Sequence, residues 1–398
     1  MKPLNALVSL ETAASLVDDS VKPIERAEIL PIDEALGRVL AADVKATHST
    51  PPFDRATMDG YAVIAADIAS VAPSRTLTIT EEIFAGKVTQ KKLSPGEAMQ
   101  IATGARLPEG ADTVVMVEDT QRTGSLVNIF KYCAKGANIT LKGSDITEGD
   151  IILKAGAVLD PAKVGVLASQ GLERVTVYVK PFIAVMPTGE EIVEIGKSLK
   201  EGQIYDINSH TLAAVIRQSG GVPRVLPITG DDLSSLKTRL EEALSADVVV
   251  TSGGSSVGEK DFMSELLASM GEVKFHGVRL KPGKPSAFAV VKGKPVLGMP
   301  GYPTSCLINA YLLLAPAIRK MARLPAGKNA VLAAKLGENV NGASGRMMFL
   351  PVRLEGEKAF NAFKDSGAIT SAALADGYIV VPQDAVLAEG TSVSVTLF

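Results

Sequence analysis

At 398 residues the chain is too long for one compact domain, and two to four are expected. A hydrophobic share of 46% can fill sizeable cores, and a net charge of −3 with mixed signs leaves no basic stripe for nucleic acid or an anionic membrane. Two cysteines and three histidines are too few for a zinc site of usual Cys/His spacing, and they argue for a reducing compartment without structural disulfides.

Residues 7–47 read as helical, with one helix near residues 9–18. A second is opened by Pro31-Ile32-Asp33-Glu34-Ala35-Leu36 and ends close to Gly37. Neither the start, Met1-Lys2-Pro3-Leu4-Asn5, nor the acidic stretch after it has the form of a signal peptide. Residues 48–144 change character. Runs at 76–80, 111–117 and 126–130 read as strands between glycines and prolines, so a β domain is expected as an insert. Residues 145–178 return to mixed structure, with a helix expected over 162–169. They are expected to pack on residues 1–47 as a discontinuous mixed α/β domain.

From Pro181 the rhythm is strand–helix. Strands are expected at 182–186, 225–228, 248–251 and 296–299. One helix is capped by Asn208 or Ser209 and stops at Gly220-Gly221; Asp231 caps a second, running through Leu244. Residues 262–270 lie on a third. A hairpin-like pair flanks Lys281-Pro282-Gly283-Lys284-Pro285, and residues 304–321 form a long apolar helix. The apolar run at 306–318 holds Asn309 and Pro316 and is shorter than a membrane span, so the cytoplasm is the expected location. This alternation predicts a doubly wound, mostly parallel sheet over 179–325. Short alternating runs from 326 to 398 predict a C-terminal β domain. The fold class is α/β plus β, in several domains.

The chemistry gathers at the strand ends of the α/β region. The turns are Pro187-Thr188-Gly189-Glu190-Glu191, Thr229-Gly230-Asp231-Asp232, Ser252-Gly253-Gly254-Ser255-Ser256-Val257-Gly258-Glu259-Lys260-Asp261 and Pro300-Gly301-Tyr302-Pro303. Parallel strands bring such turns to one edge. Gly253, Gly254 and Gly258 let backbone N–H groups approach a phosphate closely. Glu190, Glu191, Asp231, Asp232 and Asp261 would repel one another there unless a cation such as Mg²⁺ neutralised them. Taken singly, Asp231 reads as a helix cap and Glu190 as a solvated charge; the ensemble favours a metal-assisted phosphate site. Lys281 and Lys284 sit on a proline-stiffened turn, either a surface tip or an anion clamp. In the β insert, Phe53-Asp54-Arg55-Ala56-Thr57-Met58-Asp59 and Ile101-Ala102-Thr103-Gly104 form two further polar turns, explained by loop hydrogen bonds as well as by catalysis.

These motifs, with Gly202-Gln203-Ile204-Tyr205-Asp206-Ile207-Asn208 and Gly298-Met299-Pro300-Gly301-Tyr302-Pro303, resemble the molybdopterin molybdenumtransferase family, which includes the C-terminal part of gephyrin. The matches come in the family's order over nearly the whole chain. The resemblance implies an elongated subunit and a homodimer with sites between subunits. It implies insertion of molybdate into adenylylated molybdopterin, with Mg²⁺ and release of AMP. It implies no nucleic acid or membrane partner, and transient contact with the adenylyltransferase and with molybdoenzyme chaperones. By position it implies catalytic roles for Asp59, Thr103, Asp145, Glu191, Asp232 and Asp261, with metal at Glu191, Asp231 or Asp232, and Asp261. It implies substrate contacts at Thr188, Gly189, Ser252, Gly253, Gly254, Ser256, Gly258, Lys281, Lys284, Pro300, Pro303, Arg346, Arg353 and Ser371. The chain departs from the family pattern at Pro351, where an arginine is usual and Arg353 is nearest, and at Gly277, where a basic residue is usual and Arg279 follows. A tungstate-inserting paralogue, a molybdopterin adenylyltransferase and a non-catalytic scaffold are the alternatives.

Overall fold

The computed structural model describes residues 7–71, 73–253, 262–327 and 329–398. The chain forms two units, one of residues 29–177 and the other of the chain up to Glu28 together with Tyr178 onward.

In the second unit we name α1 (Leu10–Ser20), β1 (Phe182–Pro187), α2 (Asn208–Gln218), β2 (Val222–Val225), α3 (Leu233–Ala243), β3 (Val248–Ser252), α4 (Phe262–Met270), β4 (Gly271–His276), β5 (Ala287–Val291), β6 (Lys294–Met299), α5 (Pro303–Asn309) and α6 (Ala315–Met321). The sheet order is β2-β1-β3-β6-β5-β4. The first four strands are parallel; β5 runs antiparallel to β6 and to β4. β3 is buried along its whole length, as a central strand covered on both faces must be. Its alternation divides two cores. Val248 and Val250 join Val215, Ile216, Leu313 and Ile318 on one face. Val249 joins Leu236, Leu240, Leu266 and Leu267 on the other. The chain leaves β1 through α2 to β2 on one side and returns through α3 to β3 on the other. A crevice therefore opens between the carboxyl ends of β1 and β3.

α1 is capped by Ser9, whose side chain accepts from the Thr12 N–H at 3.1 Å. Its buried face, Ala13 and Val17, packs into the β3 core. The α1 segment thus lies apart from the expected grouping of residues 1–47 with 145–178, while Ala35 and Leu40 do share a core with Leu159 and Leu167. An apolar stripe tells which face is buried, and not against what. α5 and α6 are joined by a π turn, Ala310–Leu314, just before Pro316, whose ring and missing N–H cannot complete an α ladder. The expected strand at 225–228 lies earlier, at β2, on the sheet edge where Pro223 is tolerated.

The C-terminal residues form a six-stranded sheet around Met347–Glu355, with a core of Leu336, Leu350, Val352, Ile379 and Val395. One of its strands is borrowed: Leu280 and Lys281, between β4 and β5, pair in parallel with Met347 and Met348.

In the first unit, a six-stranded sheet runs in the order Thr113–Met116, Gly60–Val63, Glu97–Ile101, Arg75–Ile83, Leu126–Ile129, Thr120–Thr123. Val44–Lys45 pairs with Ile151–Leu153. Ala35, Leu40, Leu159, Leu167 and Val175 share one core. The second expected helix is a single 3-10 turn, Ile32–Glu34. Among the described residues no helix is long and apolar enough to cross a membrane.

Candidate functional site

Three strand ends meet at the crevice. The Thr188 N–H, just past β1, donates to Ser252 O at 3.0 Å, and Gly189 N–H donates to Thr229 O at 3.2 Å. Gly253 follows β3 at φ +95°, and a Cβ there would lie 2.4 Å from Thr188 O. Only glycine lets these two turns touch. Gly301 follows β6; a Cβ on it would lie 3.8 Å from Gly253 Cα. Asn208 Nδ2, at the start of α2, donates to Gly301 O at 2.7 Å. Pro300 is buried and Pro303 opens α5, where its missing N–H leaves no donor unpaired. Asn208 Oδ1, Ser209 Oγ and Thr251 Oγ1 are buried without a hydrogen-bond partner among the described residues.

The acids divide into two kinds. Burial and the charges of Glu191 and Glu190 push the Asp231 carboxyl up, with only a backbone N–H of Glu190 acting the other way. Asp231 Oδ1 is buried and has no hydrogen-bond partner among the described residues. Glu191 folds back over Gly189: a Cβ on that glycine would lie 2.8 Å from Glu191 Oε2. Asp232 is exposed and caps α3, its Oδ1 taking the Ser235 N–H at 2.9 Å and the Ser234 hydroxyl at 2.7 Å. Those bonds hold its carboxyl well below the usual range. The cap of α3 is thus Asp232, where the sequence reading had Asp231, because the chain enters the helix one residue later. Among the described residues no three His, Cys, Asp or Glu side chains already close round a metal ion. Asp261, Gly254, Ser256 and Gly258 lie outside the described residues. An orphaned carboxylate oxygen beside two further carboxylates fits a hard cation such as Mg²⁺. Past Thr229 and Gly230 a cavity of about 380 Å³ opens, lined by Ser234, Ser235, Thr238 and Arg239, which the sequence reading did not single out.

The basic turn is seated on α5. Gly283 has φ +112°, and a Cβ there would lie 1.7 Å from Asn309 Nδ2. Asn309 is fully buried; its Nδ2 donates to Ser305 O at 2.8 Å and its Oδ1 accepts from Ser286 Oγ at 2.8 Å. Ser286 Oγ also lies 2.9 Å from Gly283 O. Among the described residues Lys281 and Lys284 enter no ion pair, and Lys281 is half-buried while Lys284 is exposed. We expect Asn309→Ala to remove the hydrogen bonds to Ser286 and Ser305 and, with Ser286 left to Gly283 O alone, to loosen the turn at a cost of about 1–3 kcal/mol. Oxyanion binding should then weaken although both lysines remain. Equilibrium dialysis with molybdate, beside thermal unfolding, checks this; unchanged molybdate affinity in a destabilised variant would separate the turn's shape from its charge.

Arg346 is half-buried and lies one residue before the pairing of Met347 with Leu280. Ser371 is buried; its hydroxyl accepts from the Lys364 N–H at 3.0 Å and reaches Asp365 O at 3.3 Å. It shapes the loop whose Ser366 and Ala368 carbonyls take the N–H and hydroxyl of Thr304, at 3.0 and 2.8 Å. Arg353 is exposed and pairs with Glu355 at 2.5 Å, five residues along the strand from Met348. That separation is about 17 Å, so Arg353 does not join the basic turn. Pro351 occupies a buried strand position opposite Tyr378.

Three family profiles match in sequence order: "MoeA N-terminal region (domain I and II)" over residues 8–171, "Probable molybdopterin binding domain" over 184–320 and "MoeA C-terminal region (domain IV)" over 333–398. A molybdopterin biosynthesis protein of Methanocaldococcus jannaschii is 31% identical, with 96% of each chain covered. A molybdopterin molybdenumtransferase of Nostoc is 34% identical over 82% of this chain and 77% of its own. The crystal structure of a molybdopterin biosynthesis MoeA protein from Pyrococcus horikoshii superposes with a TM-score of 0.86 at 42% identity, covering 98% of this chain and 99% of that one. The chain belongs to the MoeA family.

In this MoeA-family chain the residues expected to act from the inserted and neighbouring domains lie in the first unit. Asp59 Oδ1 accepts both the N–H and the hydroxyl of Thr103, at 2.7 and 2.9 Å, which holds the exposed carboxyl below its ordinary range. Asp145 is exposed, its N–H donating to Thr50 O at 3.1 Å, and no hydrogen bond or ion pair links it to Asp59 among the described residues. Ser286 and Asn309 are the MoeA residues that the sequence reading left without a role, and Asn208, expected to cap α2, instead lies inside its first turn and holds Gly301. Gly283 between two lysines was the available signal for Asn309, since a turn glycine of positive φ asks what it lies against.

Proposed function

We propose that this protein is a molybdopterin molybdenumtransferase, a transferase of molybdenum cofactor biosynthesis. It converts adenylylated molybdopterin and molybdate to molybdenum cofactor and AMP. The observation that carries this reading is the convergence of three strand-end turns, the Asp231 carboxyl beside Glu190 and Glu191, and a lysine turn buttressed by Asn309 of α5, in a chain of this family.

The glycine turns at Gly189 and Gly253 present backbone to the phosphoryl oxygens. Lys281 and Lys284 offset the charge of the molybdate oxyanion. Glu190, Glu191 and Asp231 would hold Mg²⁺, which when bound withdraws charge from the phosphates being separated. The dithiolene of the substrate receives molybdenum. The protein's own thiols do not compete: burial pushes both Cys133 and the fully buried Cys306 up, so neither is a thiolate at neutral pH. We further propose a cytoplasmic homodimer in which Asp59, Thr103 and Asp145 of one subunit complete the site of the other. The way Leu280 and Lys281 are built into the C-terminal sheet favours insertase over adenylyltransferase, because the basic turn depends on that added domain.

The test is AMP release and cofactor formation from adenylylated molybdopterin, Mg²⁺ and molybdate, with tungstate in parallel. Molybdate-dependent AMP release is expected. Tight pterin binding with no release for either oxyanion would replace the proposal with a carrier role.

A further inference from the structure

A cavity of about 380 Å³ lies in the first unit, at the end of its six-stranded sheet where Gly60–Val63 begins and Arg75–Ile83 and Glu97–Ile101 end. Its walls are of two kinds. Phe84, Ile101 and Val117 make an apolar wall; Phe84 and Val117 are 52% and 48% exposed, and Lys87 Nζ lies 5.8 Å from the centre of the Phe84 ring. Asp59, Glu82 and Gln100 make the polar wall.

The polar wall is held in place from behind. Glu82 and Gln100 are cross-strand neighbours, and Arg122 Nη1 bridges them at 2.7 Å to Glu82 Oε1 and 2.6 Å to Gln100 Oε1. A bulge between Ile79 and Glu81 sets the register that brings Glu82 opposite Gln100. Thr103 occupies one oxygen of Asp59. The second oxygens of Asp59 and Glu82 take no hydrogen bond among the described residues. A slot with an aromatic wall and free carboxylate acceptors repels phosphate and favours a flat ring with N–H donors on its edge.

We propose that this cavity binds a planar, amino-bearing nitrogen heterocycle, with the ring against Phe84 and Val117 and its N–H edge toward Glu82 and Asp59. This rests on the proposed substrate, which carries two such rings, a pterin and an adenine. The chemistry of the cavity is common to both.

The experiment uses the full-length protein and two probes, AMP and a free fluorescent pterin, each titrated by calorimetry or by fluorescence anisotropy. Competition between Phe84→Ala and wild type is then compared with Phe84→Tyr. We expect one probe to bind saturably, with Phe84→Ala weakening it at least tenfold and Phe84→Tyr restoring it. AMP as that probe assigns the cavity to adenine; the pterin assigns it to the pterin. Phe84 is exposed, so thermal unfolding of Phe84→Ala should match wild type. Equal affinity of Phe84→Ala and wild type for both probes, or no binding of either, overturns the proposal. The two readings fail separately. Lost ring binding in a variant of a protein that releases no AMP would sink the transferase and keep the cavity. Normal AMP release with Phe84-independent binding would do the reverse.

Discussion

Asp231→Asn is expected to reduce molybdate-dependent AMP release by about a hundredfold, the scale of losing one electrostatic stabiliser, while leaving the cation-free protein no less stable than wild type. Burial, Glu191 and Glu190 all raise the Asp231 pKa. A carboxyl raised in the folded state binds its proton more tightly there than in the unfolded chain. Stability attributable to it is therefore greatest at low pH and falls as pH rises from the unfolded value through the folded one. At neutral pH the ionised group works against the fold, and asparagine removes that opposition. Mg²⁺ reverses the sign for wild type alone. A ligand at a hundred times its Kd stabilises by about 2.7 kcal/mol, so wild-type Tm should rise with added Mg²⁺ and the variant's should stay level. Thermal unfolding with and without Mg²⁺, at pH 5 and pH 7.5, makes the comparison. A variant with a full Mg²⁺ response would remove Asp231 from the cation seat.

Gly253→Ala is expected to destabilise the α/β unit by about 2–4 kcal/mol and to abolish turnover. The added Cβ would meet Thr188 O at 2.4 Å with φ at +95°. The clash is with backbone, so no side chain can swing away. Either the turn after β3 or the turn after β1 must retreat, and the crevice is formed by their contact. Gly301→Ala is the matched control: its Cβ would meet Gly253 Cα at an ordinary 3.8 Å. Urea unfolding should show a lowered midpoint for Gly253→Ala and a near wild-type one for Gly301→Ala. Equal midpoints for the two variants would show that the close approach is not required.

The α/β rhythm was legible because β3 is a short, β-branched apolar run that ends in glycines, the pattern of a strand covered on both faces. The strands at Arg75–Ile83, Thr113–Met116 and Leu126–Ile129 were legible from alternation. What failed to show in the sequence depended on partners. The stripe of Ala13 and Val17 predicted a helix and not the sheet it covers. Asp231 and Asp232 are adjacent acids before a helix, and only the path of the backbone decides that one caps it while the other keeps a buried Oδ1 with no hydrogen-bond partner among the described residues. Glycines marked the site well, since their positive φ values serve close approaches between turns. Of the residues those glycines approach, Thr188 was marked by its own strand-end turn, whereas Asn309, distant in sequence on an apolar helix, carried no mark.

Leu280 and Lys281 run beside Met347 and Met348 as a strand of the C-terminal sheet. The charges of the basic turn are encoded in one domain and their alignment in another. Sliding that pairing by a single position would turn Lys281 to the opposite face. A chain ending at residue 325 would keep both lysines and lose the rail that aims them. The two segments are therefore one heritable module: a change that shifts either strand must be matched in the other, and grafting the α/β domain onto a different partner would carry over the residues of the site without its aim.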